Sequence, residues 1–218
     1  MRNPEPLKSN MLSDSPFDWH SNHAPGTQPF TTHQGALPTC SSHAVAKAIM
    51  DWLDDKRFDA DFEDILSSLL AFFGEDILSL GPLGKRSFGV PASSRPVARH
   101  LQEFHDKDIK IVERLPDGTS SGREVALRIK IKTNKTYNKH WGPETNPFIR
   151  SPHDFLAVGV LQIPGGNHAV FVKYYNPRTR MVKTINSHGE NGELGPKNDG
   201  WIEDTEFQEL HLVRLTQI

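Results

Sequence analysis

The sequence predicts an α+β chain in two lobes, mainly helical over residues 16–106 and mainly β over residues 107–218, with a cleft between them. Three observations predict it. Apolar residues recur at helical spacing up to about residue 106, β-branched and alternating runs follow, and 218 residues suffice for one large domain or two small lobes. Ala44, Val45, Ala48, Ile49 and Trp52 predict a helix over residues 39–53. Phe62, Ile65, Leu66, Leu69, Leu70 and Phe73 predict a second, stopping at Gly74. A third is expected over 95–104, with Pro96 in its first turn. Strands are then expected at 109–112, 125–131, 155–163, 169–175, 181–185 and 210–215, several separated by Pro- or Gly-bearing loops. Residues 1–30 are rich in Pro, Ser, Asn and His without a sustained period, and residues 1–15 read as an arm preceding the folded part at 16–218. There is no internal repeat.

Charge and composition narrow the function. Net charge is −2 and Lys and Arg are spread along the chain, so no nucleic-acid partner is implied. The basic run Arg128-Ile129-Lys130-Ile131-Lys132 alternates as a strand with one solvated face does. No apolar run approaches the ~18 residues needed to span a bilayer, so no membrane partner is implied. The first six residues lack the apolar segment of a signal peptide. Cys40 is the single cysteine, which excludes an intrachain disulfide and predicts a reducing compartment such as the cytoplasm. No metal or organic cofactor motif is present: His20 and His23 lie three apart, but no further ligand completes a zinc set. Asp51, Asp54, Asp55, Asp59, Asp61, Glu63 and Asp64 read as a solvated acidic surface.

Cys40 draws attention because of where it falls. A thiol attacks efficiently as a thiolate, and the N–H groups and dipole of a helix N-terminus favour that ion. Cys40 stands two residues after Pro38, where the first helix is expected to begin. Far downstream, Gly165-Gly166-Asn167-His168-Ala169-Val170 places a histidine at the mouth of an apolar strand. The next strand ends Thr184-Ile185-Asn186-Ser187-His188-Gly189, and a hairpin would bring Asn186 beside His168. The amide would accept from one imidazole nitrogen and so select the nitrogen offered to the thiol. His43, one turn after Cys40, is the only local rival as base and reads as a packing or solvated residue.

These residues resemble those of the papain-like cysteine peptidases, over residues 17–201. His168 and Asn186 lie 128 and 146 residues beyond Cys40, against about 130–150 in that family. Asn167-His168-Ala169-Val170 resembles its histidine motif, Asn186-Ser187-His188-Gly189 its Asn-Ser-Trp-Gly, and Gly200-Trp201-Ile202 the step that follows. Asp18-Trp19 resembles the Asp-Trp near the start of mature members. Gln34, six residues before Cys40, matches the oxyanion-hole glutamine, which acts with the backbone N–H of the cysteine. The chain departs from the pattern in three ways. Ser41 replaces the aromatic after the nucleophile, His188 replaces the tryptophan that shields the Asn–His bond, and the family's disulfides and long pro-segment are missing. Leu80-Gly81-Pro82-Leu83-Gly84 sits about where the family has a glycine-bearing substrate wall.

The resemblance implies a papain-like two-lobe fold with a barrel-like second lobe. It implies an endopeptidase that acts on a protein or peptide through a Cys40 thioester, with His168 as base, Asn186 as orienter and Gln34 at the oxyanion. No cofactor is expected. Isopeptidases of the deubiquitinase kind, transglutaminases and deamidases share this chemistry and stay open, as do a binding-only protein and a delivered effector or toxin. The arm at residues 1–15 is expected to lie near the cleft as a built-in blocker.

Overall fold

The computed structural model describes residues 17–18, 40–69, 97, 107–137, 145, 147, 156–163, 166–176, 178–187, 194–195 and 199–218. They build strand β1 (Phe17–Asp18), helix α1 (Cys40–Asp55), β2 (Phe58–Asp59), β3 (Asp108–Arg114), β4 (Ser120–Tyr137) and β5 (Leu156–Ile163). β6 (Gly166–Asn176), β7 (Met181–Ile185), β8 (Trp201–Glu203) and β9 (Phe207–Gln217) follow. A further helical stretch covers residues 62–69. The nine strands form one sheet in the order β2-β3-β4-β9-β5-β6-β7-β8, with β1 pairing β6. Every paired neighbour runs antiparallel.

This overturns the expected α+β papain-like two-lobe fold. Among the described residues there is neither a separate helical lobe nor a closed barrel, because the sheet path is open and ends at β2 and β8. The physical reason lies in what covers the apolar face of α1. Ala44, Val45, Ala48, Ile49 and Leu53 share one core with Ile65, Leu66 and Leu69. The same core takes in Ile109 and Ile111 of β3, Leu127 and Ile129 of β4, Val158 and Val160 of β5, Ala169 and Phe171 of β6, and Val213 and Leu215 of β9. The helical segments therefore bury themselves on the sheet and have no need of a lobe of their own. Strand β4 is 18 residues long and joins β3 to the rest of the sheet, pairing with β3 up to Arg128 and with β9 from Ile129, while β2 adds residues 58–59 of the expected helical lobe to the same sheet through β3.

The other face holds a second core of Ala157, Leu161, Val170, Val172, Tyr175, Val182, Ile202, Phe207, Leu210 and Leu212. β5 and β6 are thus covered on both sides, which explains their continuous apolar runs in place of alternation. The six expected strands and the first two helical segments occur near their expected positions, while β1, β2 and β8 had not been foreseen. Of the third expected helix only Val97 is described, and it is helical. Gly74, the 80–84 segment and the arm at 1–15 lie outside the described residues.

One buried group makes the fold pH-sensitive. His211 on β9 is 1% exposed, and burial pushes its imidazole down to about 4; Glu209 pulls the other way and Lys135 adds to the lowering. The folded state therefore resists a proton that the unfolded chain accepts below its ordinary value of 6.5. Stability should be fully present above pH ~6.5 and fall by up to about 3 kcal/mol as the pH drops towards ~4. Urea unfolding across that window should show this slope, and His211→Leu should flatten it. An equal slope in the variant would exclude His211 as the cause.

Candidate functional site

Helix α1 starts at Cys40 itself. Its interior carries Ala44, Ala46 and Ala48, strong helix formers, and it ends where Arg57 turns into the left-handed region at φ 61°. Its packing against β6, β5 and β2 sets the thiol against the start of β6. Cys40 is 6% exposed, and its sulfur receives the backbone N–H groups of Ala169 and Ser41. These donors favour the thiolate, as expected of a helix N-terminus. Burial outweighs them and pushes the Cys40 thiol up from its usual range. Burial thus works against the activation that a helix N-terminus was expected to give this thiol.

His168 and Asn186 are brought together by the β6–β7 hairpin. Asn176 Oδ1 caps its turn by accepting from Arg178 and Thr179 N–H groups, and Arg180 takes φ 57°. The hairpin is braced from outside. Arg180 forks onto the Asp204 carboxylate at 2.9 and 3.1 Å, and Tyr175 Oη donates to the same carboxylate. Thr184 donates both its N–H and its hydroxyl to the Gly200 carbonyl, locking the end of β7. The β6–β7 register ends with Phe171, three residues along β6 from His168, paired to Ile185, and Asn186 follows directly after β7. The His168 Nε2–Asn186 Oδ1 distance is 2.6 Å, with the residues 3% and 2% exposed.

The tautomer follows from the neighbours. The Ser187 backbone N–H points at the same Asn186 Oδ1 at 2.7 Å. A backbone N–H only donates, so the atom facing it is the amide oxygen, and an amide oxygen only accepts. His168 Nε2 must then carry the hydrogen, and in the neutral ring the lone pair resides on Nδ1. Asn186 therefore holds the Nε2–H side of the ring. Its own main-chain carbonyl accepts from Lys47 Nζ at 2.5 Å, a cross-link from α1 that the sequence reading missed. The one signal in the sequence is that Lys47 follows Cys40 by two helical turns and so lies on the same side of the helix.

Other candidates fall differently. His43 is buried and stands 6.4 Å, centroid to centroid, from the Phe62 ring at a 43° tilt, so it packs. Asp51, read as part of a solvated acidic surface, is buried and paired with Lys173 of β6 at 2.6 Å. Asp61 and Glu63 are exposed as expected. Gln34, Trp19, His20, His23 and His188 lie outside the described residues. The structure thus joins His168 to Asn186 directly and brings Cys40 to the main chain of the residue after His168. No helix among the described residues is long and apolar enough to cross a membrane. Comparison with protein-family models, with curated proteins and with solved structures finds no match in any of the three.

Proposed function

We propose that this protein is a cysteine-dependent acyl-transfer enzyme that hydrolyses peptide bonds in a protein or peptide substrate. The observation that carries the reading is the hydrogen bond from His168 Nε2 to Asn186 Oδ1, since it puts the basic lone pair on Nδ1. Cys40 Sγ attacks the substrate carbonyl carbon while Nδ1 takes the thiol proton. The carbonyl π pair moves onto oxygen. When the oxyanion collapses, the C–N bond breaks, the imidazolium protonates the departing amine, and a thioester remains on Cys40. Water, deprotonated by the same nitrogen, then releases the acid and restores the thiol. The raised thiol favours proton transfer concerted with attack over a preformed ion pair. N–H groups of Ala169 and Ser41 steady the negative sulfur, and Gln34 with the Cys40 N–H is the proposed oxyanion pair.

The test is covalent labelling with an epoxysuccinyl probe, read by intact mass, on the full chain and on a chain lacking residues 1–15. One probe per molecule is expected, with none on Cys40→Ala. Folded protein that stays unlabelled with and without the arm would overturn the reading. Labelling of the shortened chain alone would support the arm as a blocker.

A further inference from the structure

We propose that Lys47 is a positioning residue for this site: by holding the Asn186 carbonyl it fixes the amide that orients His168. The inference rests on the acyl-transfer reading above. Four observations carry it. Lys47 is 0% exposed, and a buried amino group is tolerated only where it is hydrogen-bonded. The partner given to it is the main-chain oxygen of the residue whose side chain holds the imidazole. That residue comes directly after the last residue of β7, where the pairing of β7 with β6 has ended. Finally, Lys47 follows Cys40 by seven residues along α1, two turns and about 10 Å along the same face. One rigid helix therefore carries the nucleophile and the clamp on the base's orienter, and a rigid separation between them results.

Anchoring α1 to the sheet does not account for this bond. The Asp51–Lys173 pair and the apolar seam shared with β5 and β6 already do so. Lys47 instead reaches the peptide whose residue holds the His168 ring. Losing that bond loosens the hold on the peptide oxygen, so the amide oxygen is held less firmly at Nε2–H and the hydrogen redistributes between the two ring nitrogens.

The experiment compares epoxysuccinyl inactivation of wild type, His168→Ala and Lys47→Met across pH, with folding checked by thermal unfolding. In folded Lys47→Met, the maximal inactivation rate is expected to fall about tenfold or more, with the probe's binding constant unchanged. The limb of the pH profile that vanishes in His168→Ala should also shift. A purely structural lysine would lower the melting temperature and leave rate and profile alone, and that result overturns the proposal while the acyl-transfer reading stands. Wild type that fails to label, or labels equally in His168→Ala, overturns that reading and this inference with it. Should Lys47→Met not fold, Lys47→Gln keeps a polar end one atom too short to reach, and the same two outcomes decide.

Discussion

His168→Ala is expected to lower kcat by about 10³- to 10⁴-fold with KM little changed, because general acid–base catalysis contributes on that scale and binding does not depend on the ring. The size follows from the state of the thiol. Were Cys40 already a thiolate, losing the base would cost only protonation of the leaving amine. Burial instead holds the thiol up despite the N–H groups of Ala169, Ser41 and Cys40 and the Ser41 hydroxyl, so on the proposed mechanism the variant loses the acceptor for the thiol proton as well. Asn186→Ala should be milder, since the ring persists and only its tautomer is released. Turnover of a generic peptide substrate, or the rate of Cys40 alkylation where no substrate is in hand, checks the order wild type, Asn186→Ala, His168→Ala. Activity within tenfold of wild type in folded His168→Ala would remove histidine as the base.

Lys173→Met is expected to destabilise the fold by about 3–5 kcal/mol, the usual result of removing one partner of a buried ion pair. Lys173 lies at an irregularity of β6, where the register to β7 shifts between Val172 and Tyr174, and this aims its amino group at α1. It meets Asp51 Oδ1 at 2.6 Å with the two side chains 1% and 4% exposed, so solvent does little to screen the loss. The urea midpoint should fall with the slope of the transition unchanged. Asp51→Leu with Lys173→Met should be more stable than either single variant, because two charges replaced together leave none stranded. A double variant as unstable as the sum of the singles would mean that each residue acts through other partners.

The elements of the second half were legible because β5, β6, β7 and β9 are apolar runs bounded by glycine, proline or polar turns, and these are properties of neighbouring residues. α1 was legible from its period, with Arg57 rather than a glycine ending it. The short strands β1 and β2 carry no pattern of their own: two residues each, they are strands only because β6 and β3 offer edges to them. The expected helical lobe failed for a related reason. An amphipathic helix states that it has an apolar face to cover and is silent on whether a helix or a sheet will cover it.

At the site, residue type and spacing singled out Cys40, His168 and Asn186, since a thiol at a helix start, a histidine at a strand mouth and an amide at the end of the next strand are local features. A hairpin then has to bring the last two together. Asp51 was misread because neighbouring carboxylates suggested solvent, whereas its partner lies 122 residues away. The sequence by itself therefore determined the first helix and the longer strands, the single thiol, and the choice of Cys40, His168 and Asn186 as candidate residues. Only the tertiary structure decided that α1 lies on one open sheet, that burial raises the thiol, that Ser187 and Asn186 assign the His168 tautomer, and that Lys47 and Lys173 turn inward. Periodicity and residue chemistry act between near neighbours along the chain, while desolvation, tautomer choice and ion pairing depend on which distant residues the fold sets within a few ångströms.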